Sequence, residues 1–200
     1  MSRQTLITCT LTLVLGLGAA IATPAQTGPC VDLVPTLTGD SPAVSASGIY
    51  SPTYRAWKAF DAAVTGQSMW ISEVWETPAW IAYDFETEVV IHRYQITNTN
   101  GSLTSRAPMD FTFQGWDGCA WQVLDTRVGE TNWRSGTPRT YDVASPGRYS
   151  SYRLHVTDDN DARAGVVVIS IGDLQFQTCI TIFSDSFESG DASSWTTALP

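Results

Sequence analysis

The chain has 200 residues, 43% of them hydrophobic, with eight Trp, seven Tyr and seven Phe, enough for one aromatic-rich core plus extensions. Twenty acidic residues against eleven basic ones leave a formal charge of −9. That balance argues against sequence-independent nucleic-acid binding, which needs clustered Lys and Arg, and against a polybasic membrane-surface site.

Met1 to Ala22 reads as a secretory signal peptide. Arg3 supplies the positive start, Leu6 to Leu17 the apolar run and Ala20-Ile21-Ala22 the small-residue cleavage site. The apolar run is shorter than the ~20 residues a membrane span needs, so no transmembrane segment is expected in the mature chain. The protein is therefore expected to be secreted, extracellular or at the cell surface. Cys9 leaves with the signal, and Cys30, Cys119 and Cys179 remain in an oxidising compartment. Residues 23–30 read as a linker, 31–181 as one domain and 182–200 as an acidic tail without strand periodicity.

Within the domain, Val31 to Thr38 and Ala43 to Ser47 read as edge strands around a Gly39-Asp40-Ser41-Pro42 turn. Tyr54 to Phe60 reads as one or two helical turns. Trp80 to Phe85 and Glu88 to Asn98 read as strands, followed by a polar loop from Thr99 to Ala107. Asp110 to Gly115 alternates polar and apolar, Asp117-Gly118 signals a tight turn, and Ala120 to Arg127 returns as its hairpin partner. Arg139 to Val143 and Tyr149 to Thr157 follow as strands, the latter alternating Tyr152, Leu154 and Val156 with Ser151, Arg153 and His155. Asp158 to Gly165 reads as a solvated acidic turn, and Val166 to Thr178 as a last strand broken near Gly172. Roughly eight short strands, spaced by turn signals and with no long helix, predict an all-β fold, an antiparallel β-sandwich of jelly-roll type.

Several stretches also carry a family pattern. Arg106-Ala107-Pro108-Met109-Asp110-Phe111 is followed by Gly115, Asp117-Gly118, Trp121 and Leu124-Asp125. Around it lie Ala56-Trp57-Lys58-Ala59-Phe60-Asp61, Ser68-Met69-Trp70, Trp80-Ile81-Ala82-Tyr83-Asp84-Phe85, Tyr149-Ser150-Ser151-Tyr152-Arg153-Leu154 and Ile171-Gly172-Asp173-Leu174. In this order and spacing the chain resembles discoidin domains, also called coagulation factor five/eight type C domains, and the related family 32 carbohydrate-binding modules, from about Ala43 to Gln177. It departs from their pattern at Ala62 in place of Gly, Trp116 in place of Ser and Asp173 in place of Glu. The tail resembles a D-x-F-E-x-G-D-x-S-x-W segment that ends many secreted bacterial proteins.

The resemblance implies a galactose-binding-domain-like fold with Trp57, Trp70, Trp80 and Trp121 in the core. It implies a Cys30–Cys179 bridge, with Cys119 left over as a free thiol or an intermolecular link; the residues alone also allow Cys119 to pair with Cys30 or Cys179. It implies one structural Ca2+, held by the carboxylates of Asp61 and Asp173, by Ser68 and by carbonyls near Lys58 and Ala63, since calcium takes six to eight hard oxygen ligands. The ligand surface would lie on loops at one end of the sandwich, where Tyr54, Trp75, Asn100, Arg106 and Trp133 offer aromatic faces and polar groups.

The sequence lacks a Gly-x-Ser-x-Gly elbow, a His-Glu-x-x-His pair and a phosphate loop, so no enzyme activity is expected. The function this implies is a secreted, non-catalytic module recognising carbohydrate on a polysaccharide or glycoprotein. The alternatives are an adhesion domain binding a protein or lipid surface, which the acidic charge disfavours for anionic lipid, and a small hydrolase on the same scaffold.

Overall fold

Period-two alternation sorts the strands into two facing layers. A computed structural model describes residues 27–74, 78–98, 103–161 and 167–181. Pro29–Cys179 forms one compact unit; of a second, Met1–Gly28 with Ile180–Pro200, only 27–28 and 180–181 are described. The signal segment and the acidic tail lie outside the described residues. The strands are β1 (Thr27–Asp32), β2 (Val44–Ala46), β3 (Trp70–Ile71), β4 (Ala79–Val90), β5 (Arg93–Thr97), β6 (Pro108–Trp116), β7 (Trp121–Arg127), β8 (Pro138–Asp142), β9 (Arg148–Asp159), β10 (Ser170–Ile171) and β11 (Asp173–Thr181). Short 3-10 helices span Ala56–Phe60 and Leu103–Arg106.

A four-stranded sheet has the order β1-β11-β5-β8 and a five-stranded sheet the order β2-β4-β9-β6-β7; β10 and β3 form a small third pair. The registered pairs run antiparallel. Tyr94 and Ile96, with Leu174, Phe176 and Tyr141, face Ile81, Tyr83, Phe111, Phe113, Tyr152, Leu154 and Val156 across the core. Four rings form a continuous column between the layers. Tyr141 stacks on Tyr94 at 5.1 Å, Tyr94 on Phe113 at 4.6 Å and Phe113 on Tyr152 at 5.5 Å, with interplanar angles of 22°, 17° and 12°.

The column's polar ends are all satisfied. Tyr94 donates its hydroxyl to Asp125 Oδ2 at 2.6 Å, and the same oxygen accepts from Arg127 Nε at 2.7 Å. Tyr141 donates to Glu130 Oε2 at 3.0 Å, and the Tyr152 hydroxyl lies 2.7 Å from the carbonyls of both Val89 and Gly147. Burial raises all three phenols above the ordinary value, that of Tyr152 to about 12. Asp125 adds to the shift of Tyr94, and Glu130 to that of Tyr141.

The Asp-Gly hairpin forms where expected. Trp116 faces Trp121, Asp117 N donates to the Ala120 carbonyl, and Gly118 takes a φ of +96°, open to glycine at little cost. Asp117 Oδ1 accepts from the amides of Cys119 and Ala120. Gly115 is required for another reason: a Cβ there would sit 2.3 Å from the Tyr149 ring. The last strand breaks at Gly172, as expected, into β10 and β11.

Several expectations need correction. The first strand starts at Thr27, inside the expected linker, and ends at Asp32 rather than Thr38. The run Glu88 to Asn98 is two strands: 88–90 complete β4 in one sheet and 93–97 form β5 in the other. The chain changes layer at Ile91-His92, where His92 N bonds to the Gln177 carbonyl and His92 O accepts from Val143 N. The expected polar loop holds the Leu103–Arg106 helix. Trp70 is fully buried, but Trp57, Trp80 and Trp121 are only half-buried. Trp80 and Trp121 lie on the outer face of the five-stranded sheet, where the Arg153 guanidinium stacks 4.3 Å over Trp121 and 6.0 Å from Trp80. Arg153 Nε is anchored to Gln114 Oε1 at 2.7 Å.

Cys30 and Cys179 are joined, which excludes pairing of Cys119 with either. Cys119 is disulfide-bonded too, not a free thiol.

Two outcomes follow for stability. The raised phenols keep their protons in the folded state beyond the ordinary value of 10.0, whereas the unfolded chain loses them. Urea denaturation is expected to show this contribution constant below pH 10 and declining above it; no decline there would contradict the buried column. Arg153→Ala is expected to cost about 1–2 kcal/mol through the lost indole stacking.

Candidate functional site

One end of the sandwich is built on small apolar anchors. Met69, Ile71 and Val168 form a separate buried cluster, with Tyr54, Val74 and Leu103 packed against it. The Tyr50–Tyr54 loop is tied to β3: Tyr50 N donates to the Ile71 carbonyl at 2.8 Å, and Ile71 N to the Tyr54 carbonyl at 3.4 Å. Ser72 locks the neighbouring loop. Its N donates to Ile169 O at 2.9 Å, and its hydroxyl accepts from Ile169 N at 3.0 Å. The rings of Tyr50 and Tyr54 sit 6.2 Å apart, edge to face, and Tyr50 keeps 52% of its surface exposed.

The helix Leu103–Arg106 links this aromatic pair to a polar cavity. Leu103 packs on the apolar cluster, while Thr104 and Ser105 line a cavity of about 240 Å³ with Asn132, Trp133 and Asn160. Asn160 is the clasp of this end. Its side-chain amide donates at 3.0 Å to both the Ala107 and the Glu130 carbonyls, holding two loops together. Asn132 takes a φ of 59°, a left-handed conformation that Asn tolerates better than most residues. The acidic turn beside Asn160 is not solvated throughout: Asp159 is 2% exposed and accepts from the amides of Asp161 at 2.9 Å and Val168 at 2.8 Å. Burial raises its pKa.

The expected ligand residues separate here. Tyr54 is half-buried on the cluster. Arg106 is half-buried and makes no ion pair among the described residues; the nearby Asp110 accepts from Gly129 N. Trp133 is not an exposed platform. It is 7% exposed, donates its indole N–H to the Pro108 and Glu130 carbonyls at 3.0 Å, and carries the Arg139 guanidinium 4.3 Å over its ring. It nonetheless lines the cavity with Thr104, Ser105, Asn132 and Asn160. Trp75 and Asn100 lie outside the described residues. Asn132, Asn160, Thr104 and Ser105 escaped the sequence reading; the turn-forming Asn132 in a polar loop was the one available signal.

The Asp61 loop lies on a different cavity, of about 110 Å³, lined in part by Asp32, Thr36, Phe60, Ala62, Asp173 and Gln175. Ala62 adopts the left-handed φ of 57° that the family fills with Gly. Asp61 Oδ1 accepts from Ala63 N at 2.9 Å and its Oδ2 from the Ser68 hydroxyl. Asp173 is 7% exposed, and its pKa is pushed up to about 6, first by burial and then by the charges of Asp61 and Asp32, against the lowering effect of the Ala62 amide. The Lys58 ammonium donates to the Gln67 carbonyl at 3.2 Å. These donors are oxygens only and two of them are crowded carboxylates, a chemistry that fits a hard divalent cation. Among the described residues, no cluster of three or more His, Cys, Asp or Glu side chains is placed to hold a metal, so carbonyls and Ser68 would complete the shell.

No protein-family model and no curated protein matches the chain. Solved structures do. The family 32 module of Clostridium perfringens NanJ, in complex with galactose, is 14% identical, with a TM-score of 0.55 over 68% of this chain and 92% of that one. Chitosan-binding module 1 from a chitosanase/glucanase of Paenibacillus sp. IK-5 is 17% identical, with a TM-score of 0.54 over 73% and 98%. A factor five/eight type C domain from Bacteroides fragilis is 12% identical, with a TM-score of 0.56 over 68% and 90%. No helix among the described residues is long and apolar enough to cross a membrane. At these identities the likeness establishes the fold, an antiparallel, galactose-binding-like β-sandwich shared with family 32 carbohydrate-binding modules and factor five/eight type C domains.

Proposed function

We propose that the chain is a secreted, non-catalytic module that binds carbohydrate at the loop end carrying Tyr50, Tyr54 and the Thr104–Asn160 cavity. The observation that carries this reading is the juxtaposition, through one short helix, of a partly exposed aromatic pair with a cavity of hydroxyls and amides. Pyranose recognition needs that combination: a ring face for the apolar side of the sugar and oriented polar groups for its hydroxyls. The solved neighbours support it: they include a family 32 module in complex with galactose, a chitosan-binding module and a second such module in complex with chitotriose. The Cys30–Cys179 bridge supports an oxidising, extracellular location. Calcium, in this reading, is held by Asp61, Asp173, Ser68 and carbonyls near Lys58 and Ala63. It neutralises the paired carboxylates and stiffens that loop, and takes no part in touching the sugar.

Isothermal titration against a panel of neutral glycans, including galactosides and chito-oligosaccharides, tests the binding reading. Tyr50→Ala, which removes the ring that is 52% exposed, is expected to weaken the best ligand at least about tenfold with little change in the melting temperature, the loss of one ring contact. Unchanged affinity would move the site elsewhere. Absence of all glycan binding by the folded protein would favour a protein-binding adhesion domain. Asn160→Ala is expected to cost about 1–3 kcal/mol in denaturation, because two side-chain hydrogen bonds that tie the Ala107 and Glu130 loops together are lost. Calcium is expected to raise the melting temperature reversibly, chelator to remove the gain, and Asp61→Ala to abolish it. A melting temperature indifferent to calcium would sink the metal reading.

A further inference from the structure

The loop after β7 holds a cavity of about 210 Å³ beside the one already described, lined by Asn132, Arg134, Thr137 and Arg139. No carboxylate lines it, in a chain where acidic residues outnumber basic ones twenty to eleven. Arg139 is held in place. Its guanidinium stacks 4.3 Å over Trp133, Nη1 donates to Glu130 Oε2 at 2.9 Å, and Nη2 donates to the Thr131 carbonyl at 2.6 Å. A guanidinium has five N–H donors, so these two bonds leave capacity on a fixed fork. Arg134 is exposed and carries no ion pair among the described residues. Glu130, which neutralises Arg139, is also engaged by the Tyr141 hydroxyl, so Arg134 supplies the uncompensated charge at the cavity.

The backbone around these side chains is already shaped. Asn132 and Gly136 take φ of 59° and 66°, Thr137 N closes a turn onto the Arg134 carbonyl at 3.3 Å, and Gly136 N donates to the Asn98 carbonyl at 3.2 Å. A ligand entering here therefore orders little new chain, which favours affinity. Asn132 is a wall of both this cavity and the polar cavity of Thr104, Ser105, Trp133 and Asn160. The two cavities therefore share one wall.

We propose that this cavity is an anion subsite of the carbohydrate site, where Arg134 and Arg139 take the carboxylate or sulfate of an acidic saccharide. The proposal rests on the carbohydrate reading above. Its chemistry is charge-assisted hydrogen bonding from two guanidiniums, stronger than bonding between neutral groups and sensitive to salt.

Titration calorimetry of the full chain separates the possibilities, with four ligands: trigalacturonate, its methyl triester, a galactose trisaccharide and its sulfated form. An acidic ligand is expected to bind about tenfold tighter than its neutral counterpart, the effect of one charged hydrogen bond. Added salt and Arg134→Gln are each expected to erase that advantage while leaving neutral binding unchanged. Whichever acidic ligand shows the advantage identifies the group as carboxylate or sulfate. Equal binding of charged and neutral forms would overturn the subsite and leave the carbohydrate reading standing. An acidic advantage that survives Arg134→Gln would overturn the assignment to this cavity. No binding by any of the four would overturn the subsite, and the neutral-glycan panel then decides the carbohydrate reading on its own.

Discussion

The column of Tyr141, Tyr94, Phe113 and Tyr152 is the constraint on which the rest of the structure depends. Two of its rings belong to the four-stranded sheet and two to the five-stranded sheet, so the stack sets how the layers face each other. Stacked aromatic pairs add to the area they bury, and their geometry is directional where aliphatic packing is not. The hydroxyl ends are fixed as firmly as the faces. Asp125, Glu130 and two backbone carbonyls hold them, so a shift in one layer would break a buried hydrogen bond as well as a contact.

That rigidity reaches the loop end. Glu130 bonds Tyr141 from the column and Arg139 from the loop cavity, and Arg139 in turn covers Trp133. Trp133 and Asn160 both bond the Glu130 carbonyl, and both engage the segment that opens β6. A connected set of bonds therefore runs from the aromatic core to the walls of the candidate site. Recognition by a few polar groups requires such support, because a hydroxyl or amide helps a ligand only when its position is settled beforehand.

The sequence made legible what local rules determine. The Asp117-Gly118 hairpin follows from one glycine at positive φ, the break at Gly172 from another glycine, and the inward face of β9 from the alternation of Tyr152, Leu154 and Val156. What escaped depends on distant partners. Glu88 to Asn98 reads as one strand rich in Val and Ile, yet the chain changes layer at Ile91-His92, a turn made possible by bonds to Gln177 and Val143. The family pattern put Trp80 and Trp121 in the core, but an arginine from β9 covers them on the outer face. Trp133 looked exposed in a polar loop and is buried by groups 3 to 25 residues away. The polar half of the candidate site was hidden for the same reason: Asn160 sits in a run of aspartates that gives no hint of the carbonyls it reaches.

The central claim is that carbohydrate binds at the loop end. Backbone amide chemical-shift mapping of the folded protein with its best glycan addresses it most directly. Shifts concentrated on Tyr50, Tyr54, Leu103–Arg106, Asn132 and Asn160 are the expected result. Shifts confined to the outer face around Trp80, Arg153 and Trp121, or to the Asp61 loop, would contradict it.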